Sequence, residues 1–143
     1  MEIAKAMDRS EAIGQFCWVD LAASDAGRAK EFYGQLFGWT AHERAANGGV
    51  FTSLRNTGVD VGSLYQIQKA HLERGVPSHW TPYVRVADIE ETVQRATALG
   101  GKVVVQPFVV TGMAQIALIL DSVGALVGLW QSIEGSLVEG SHG

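Results

Sequence analysis

The sequence predicts an α+β chain built from two tandem β-α-β-β-β modules. An internal repeat, a hydrophobic spacing that switches between strand and helix periods, and the placement of glycine all point to it. Val19-Asp20-Leu21-Ala22-Ala23-Ser24-Asp25 precedes a helical stretch that stops at Gly38. Pro82-Tyr83-Val84-Arg85-Val86-Ala87-Asp88 precedes another that stops at Gly100-Gly101. Later, Gly58-Val59-Asp60-Val61-Gly62 ahead of Leu64-Tyr65-Gln66 recurs as Gly124-Ala125-Leu126-Val127-Gly128 ahead of Leu129-Trp130-Gln131, with one residue lost inside the second copy. Each half opens with a strand and a helix and closes with a glycine-led strand ending in aromatic-Gln.

Taken in order, residues 1–13 mix Glu2, Lys5, Asp8, Arg9 and Glu11 among apolar residues, an extension unlike a signal peptide. The first module, 14–68, opens with a strand over Phe16 to Leu21. Ala29, Phe32, Tyr33, Leu36 and Phe37 then fall on one stripe of an amphipathic helix, and Gly38 ends it. Strands follow at Thr40 to Arg44, Val50 to Leu54 and Val59 to Gln66, punctuated by Asn47-Gly48-Gly49 and Asn56-Thr57-Gly58. Residues 69–78 form a polar linker. In the second module, 79–131, strands are expected at His79 to Val86, Lys102 to Val110, Met113 to Leu120 and Leu126 to Gln131. Asp88 with Glu91 caps a helix running to Leu99. Residues 132–143 read as a glycine-rich tail. Most of the 17 glycines sit at these joints.

Composition narrows the function. The 143 residues are 47% hydrophobic and 18% charged, with a net charge of −4 and no basic run, which argues against nucleic acid as a partner. No apolar stretch approaches the roughly 18 residues of a spanning helix, so no membrane span is expected. One cysteine, Cys17, rules out an internal disulfide and a CxxC metal knuckle and fits a reducing, cytoplasmic address. No GxSxG, Walker A or GxGxxG sequence occurs.

Cys17-Trp18-Val19-Asp20-Leu21, Asp25, and Phe32-Tyr33-Gly34-Gln35-Leu36-Phe37-Gly38-Trp39 resemble the vicinal oxygen chelate superfamily of glyoxalases, bleomycin- and fosfomycin-resistance proteins and extradiol dioxygenases. So do Trp80, Tyr83-Val84, Asp88, Leu99-Gly100-Gly101 and Asp121-Ser122-Val123-Gly124-Ala125 ahead of Leu129-Trp130-Gln131. The resemblance spans residues 14 to 131 and departs at Ser122, where the superfamily usually has proline. It implies the glyoxalase/bleomycin-resistance fold, a half-barrel sheet with helices outside and ligand on its concave face, commonly as a homodimer. It also implies metal ligands on the first, fourth, fifth and eighth strands. Those places carry Trp18, Gly62, Thr81 and Gly128, and a one-residue shift brings Cys17, Ser63, Pro82 and Leu129. Neither set suits a divalent ion, so the expectation is no metal and no cofactor. His42, His71, His79 and His142 show no ligand spacing; His71 and His142 read as solvated, and a place at a pocket mouth is the lesser reading for His79 and weaker still for His42.

Alternation then sorts side chains by face. Val19 and Leu21 turn to the helix, leaving Phe16, Trp18 and Asp20 inward. Trp80, Pro82, Val84 and Val86 turn to the helix, leaving Thr81, Tyr83 and Arg85 inward. Gly62, Leu64 and Gln66 are expected inward with Gly128 and Trp130, the two glycines leaving room for a guest. Asp20 is the candidate acid or base, unless it simply pairs with Arg85. Tyr83, its repeat counterpart, is the candidate hydrogen-bond donor, unless it is a core tyrosine. Trp18 and Trp130 form a stacking wall or merely plug the sheet. Phe16, Leu64, Gln66, Thr81 and Arg85 complete the ligand-binding set. Cys17 is expected to be inert. Three functions compete: a binding protein for a small aromatic or partly apolar molecule, a metal-independent isomerase or lyase using Asp20, and an interaction module that no particular residue favours.

Overall fold

The computed structural model describes residues 12–46 and 49–133. The expected extension over 1–11, the Asn47-Gly48 turn and the tail over 134–143 with His142 lie outside them. Among the described residues, eight strands and three helices follow in the order β1 (Phe16–Ala23), α1 (Ala26–Phe37), β2 (Thr40–Ala46), β3 (Gly49–Asn56), β4 (Val59–Gln66), α2 (Lys69–Glu73), β5 (His79–Arg85), α3 (Ile89–Ala98), β6 (Lys102–Val110), β7 (Ala114–Leu120) and β8 (Leu126–Ser132). The α+β, twice β-α-β-β-β organisation read from the sequence is the one observed. Residues 69–78, expected as plain linker, hold the short α2. The chain divides into two compact units, Val19–Thr81 and the residues up to Trp18 together with those from Pro82 onward. The division runs through β1 and β5.

In the first unit β2, β3 and β4 pair antiparallel, and β1 joins β4 in parallel with Asp20 opposite Ser63 and Leu21 opposite Leu64. Leu21, Ala23, Leu54 and Leu64 are buried together, packed by Ala29, Tyr33, Trp39 and Val61, so they define the helix side. Asp25 caps α1 by accepting the Arg28 N–H at 3.1 Å, which starts the helix three residues ahead of the apolar stripe. Gly38 stops α1 at φ +77°, a conformation glycine adopts without a Cβ clash.

β4 departs from simple alternation. Arg55 pairs with Asp60 but Leu54 pairs with Gly62, so Val61 is an extra residue bulged out of the ladder. Past the bulge the faces exchange. Leu64, expected inward, is 1% exposed on the helix side, while Ser63 turns to the other face. Gly62 pairs with helix-side Leu54, and a Cβ built there would stand 2.9 Å from the Val19 carbonyl oxygen. Gly62 thus permits close strand packing and opens no room for a guest.

In the second unit β6, β7 and β8 are antiparallel, and β5 joins β8 in parallel with Tyr83 opposite Gly128, Val84 opposite Leu129 and Arg85 opposite Trp130. Ile89 and Val93 of α3 are buried against Ala117, Ile119 and Leu129. Asp88 caps α3 through the Glu91 N–H at 3.1 Å. Where Ser122 replaces the superfamily's proline, the Asp121 carboxylate holds the turn by accepting the Val123 and Ala125 N–H groups, both at 2.9 Å, and these bonds lower its pKa.

The repeated aromatic-Gln pair has a structural role. Gln66 Oε1 accepts the Ala26 N–H at 2.9 Å and Gln131 Oε1 accepts the Ile89 N–H at 2.8 Å, so each module ties its last strand to the first turn of its helix. Gln66 also donates to the Ser24 and Ile67 carbonyls at 2.9 and 3.1 Å, which commits its amide and removes it from the expected ligand-facing set. Equating the two clamps makes Leu64 the counterpart of Leu129, Tyr65 of Trp130 and Ser63, not Gly62, of Gly128.

Candidate ligand site

Opposite the helix side, the two units carry different chemistry. In the second unit Trp18 and Trp130 are half-buried with ring centroids 5.5 Å apart and planes tilted by 35°. Tyr83, 3% exposed, meets Trp130 edge-on at 6.1 Å. Its ring fills the space a side chain on Gly128 would need: a Cβ there would stand only 2.3 Å from Cδ2 of the Tyr83 ring. The Gly128 gap is therefore closed by Tyr83 and leaves no room for a guest. Burial makes Tyr83 the wall's support and leaves the two indoles partly open. Arg85 donates to the Ser132 hydroxyl, and Phe16 is 64% exposed at the start of β1. Burial pushes the Cys17 thiol up to about 11, against the lowering charge of Arg85, so the thiolate is scarce at neutral pH.

In the first unit the corresponding face is polar. The Ser63 hydroxyl donates to Asp20 Oδ1 at 2.7 Å. Burial pushes the Asp20 carboxyl up to about 6, although the Ser63 hydrogen bond and the nearby His79 both pull it down. Desolvation therefore outweighs two favourable contacts, which places the group where it can exchange a proton near neutral pH. His79 is itself held by the Pro77 carbonyl at 2.8 Å from Nδ1. Tyr65 is raised by burial and then by the Asp20 charge. Thr81 is 4% exposed, and Ser53, directly opposite Ser63 on β3, is 1% exposed with no hydrogen-bond partner for its hydroxyl.

The structure thus brings Trp18, Tyr83 and Trp130 together and gives Asp20 a serine partner and a neighbouring histidine. Sequence reasoning missed Ser53 and never set Ser63 beside Asp20. Aligning the two Leu-aromatic-Gln endings from the C-terminal side would have placed Ser63 on the Asp20 face; nothing local marks Ser53. Two surface depressions lie apart from these groups, one of about 410 Å³ lined by Arg95, Leu99, Gly101 and Asp121, the other of about 280 Å³ lined by Asp25, Arg28, Phe32 and Ser78.

The sequence profile of the Glyoxalase/Bleomycin resistance protein/Dioxygenase superfamily matches residues 15–133. The chain belongs to this superfamily. Among its relatives is a Mycobacterium bovis protein named "Putative glyoxylase CFP32", 33% identical over 117 residues covering 80% of this chain and 44% of the relative. The anthracycline biosynthesis protein DnrV of Streptomyces peucetius is 30% identical over 143 residues, covering 91% of this chain and 52% of the relative. The chain therefore spans about half the length of the curated relatives it matches. A methylmalonyl-CoA epimerase structure from Mycobacterium tuberculosis superposes with a TM-score of 0.61 at 19% identity, covering 89% of this chain and 95% of that one, which supports the fold.

The places where the resemblance implies metal ligands, on β1 and β8 in one unit and on β4 and β5 in the other, carry side chains that are poor donors to a divalent ion. Trp18 is engaged with Trp130, Ser63 gives its proton to Asp20, Thr81 offers one neutral hydroxyl, and Gly128 has no side chain and is covered by Tyr83. Among the described residues, no three His, Cys, Asp or Glu side chains come together in a way that could hold an ion.

Proposed function

We propose that this glyoxalase-superfamily chain binds a small, flat, partly apolar organic molecule against Trp18 and Trp130, without a metal ion. The observation that carries this reading is the half-buried indole pair backed by Tyr83, with Trp18 at one place where the resemblance implies a metal ligand and Trp130 adjoining another. Likeness to a protein named for anthracycline biosynthesis supports a fused-ring ligand. Stacking on such a wall contributes about 0.5–1.5 kcal/mol beyond area burial. A homodimer and a cytoplasmic address belong to the same reading, the first from the resemblance and the second from the single cysteine. The domain reading, with modules over 14–68 and 79–131, accompanies it.

The test is tryptophan fluorescence during titration with a hydroxyanthraquinone. Emission should be quenched, and Trp18→Ala should weaken binding about tenfold, the equivalent of about 1.4 kcal/mol. Equal affinity in Trp18→Ala would sink the stacking wall. Stoichiometric divalent metal in protein purified without chelator would sink metal independence.

Asp20 favours a second reading, a metal-independent isomerase or lyase in which this carboxyl moves a proton on a small metabolite. Turnover that vanishes in Asp20→Asn, while binding at the indole wall persists, would select it. Tyr83, buried under Trp130, acts in either reading by positioning the wall.

A further inference from the structure

We infer that Asp20, Ser63 and Ser53 form a second, polar subsite in the unit Val19–Thr81, built to take a neutral hydroxyl group of a ligand, either an alcohol or a phenol. The argument begins with register. Ser53 and Ser63 stand directly opposite each other on β3 and β4, and Asp20 stands opposite Ser63 on β1, so the three side chains form one row across three strands. The row lies away from the helix, because the adjacent residues Leu21, Leu54 and Leu64 all pack in the helix-side core.

Within the row the hydrogen-bonding capacity is unbalanced. Ser63 spends its proton on Asp20 Oδ1 at 2.7 Å, whereas the carboxylate can accept further donors at its second oxygen. The Ser53 hydroxyl, 1% exposed, has no partner. Buried hydroxyls are almost always satisfied, and an unmatched one costs about as much as a lost hydrogen bond. What is missing is a group that donates to Asp20 and accepts from Ser53. A hydroxyl carries both the donor and the acceptor that these two groups call for. An ether cannot donate to the carboxylate, and a carboxylate or phosphate is repelled by it. The high position of the Asp20 pKa agrees, since the folded chain leaves this carboxylate under-stabilised. The subsite is independent of the indole wall, which lies in the other unit, so the two readings can fail separately.

Amide and indole NMR spectra of the full chain, recorded at pH 7.5 with phenol, anisole and benzoate, decide between the outcomes. Phenol is expected to shift the Asp20, Ser53 and Ser63 resonances, while anisole and benzoate leave them in place. Asp20→Asn should weaken the phenol effect about tenfold. Ser53→Ala should weaken it severalfold at an unchanged melting midpoint, because it removes a hydroxyl with no internal partner. The inference is overturned if phenol moves only the indole N–H signals of Trp18 and Trp130, a result that leaves the stacking wall standing. It is equally overturned if phenol moves nothing, if all three probes act alike, or if Ser53→Ala lowers the melting midpoint as loss of a structural hydrogen bond would.

Discussion

Asp20 facing Ser63 in the first module and Tyr83 facing Gly128 in the second occupy equivalent places in a repeated scaffold. The surroundings match: a parallel strand pair, an aspartate helix cap and a glutamine clamp recur in both. The contents do not. Tyr83 over Gly128 is a ring filling the volume of an absent side chain, a solution that stabilises the fold. Asp20 beside Ser63 is a desolvated carboxyl raised to about 6, with an unpartnered hydroxyl next in the row, a solution that does not. The scaffold tolerates a ring packed on a glycine at this place, so the carboxyl-hydroxyl pair is not required for folding. Polar groups kept at a cost to stability are a signature of a working site.

The contrast can be broken most severely at Gly128. Gly128→Ala drives a methyl group into the buried Tyr83 ring and should cost about 3 kcal/mol, the upper range for overpacking, read as a lower urea midpoint at unchanged slope. Asp20→Asn should act in the opposite direction. Because the folded pKa of Asp20 lies above its usual 3.8, its contribution to stability is complete below about 3.8 and is lost as pH rises through about 6. The full shift corresponds to about 3 kcal/mol, and partial exposure reduces the expected gain of the asparagine variant to about 2 kcal/mol at pH 7–8. Urea titrations at intervals from pH 4 to pH 8 check this. A variant less stable than the parent at pH 7 would mark Asp20 as a structural partner.

Smaller effects sharpen the same contrast. Ser63→Ala should cost about 1.5 kcal/mol and raise the Asp20 pKa further, because it removes a hydrogen bond that favours the ionised form. Carboxyl NMR titration separates that rise from a general loosening. Gln66→Ala and Gln131→Ala should each cost about 1 kcal/mol by leaving the first-turn N–H of α1 or α3 without its acceptor. Near-equal losses in thermal unfolding would show that the clamps, unlike the paired places between them, are interchangeable.

The elements of the fold were readable because each rests on short-range patterns. Asp25 and Asp88 announce helix starts, Gly38 a stop, and the Leu-aromatic-Gln ending repeats almost unchanged. The faces of β1, β5 and β8 also followed from alternation, and with them the meeting of Trp18, Tyr83 and Trp130. The face of β4 did not, because a single bulged residue at Val61 reverses every side chain after it and alternation assumes an unbroken ladder. Leu64 and Gln66 were expected inward because the repeat matches Gly62 to Gly128, a match that the bulge puts one residue out of step. Ser53 was invisible for another reason: its significance lies in a missing hydrogen bond, and an absence of partners has no sequence pattern.

The four tryptophans fall into two pairs, one per unit. Trp18 and Trp130 lie 5.5 Å apart at 35°, and Trp39 and Trp80 lie 6.4 Å apart at 84°. Indoles this close share their excited states, and the resulting exciton band depends on the separation and mutual orientation of their transition dipoles. The protein therefore carries two built-in chromophores with distinct far-ultraviolet circular dichroism, each reporting the integrity of its own half. Trp18→Ala silences one and leaves the other, so the order in which the two halves melt can be followed without a label.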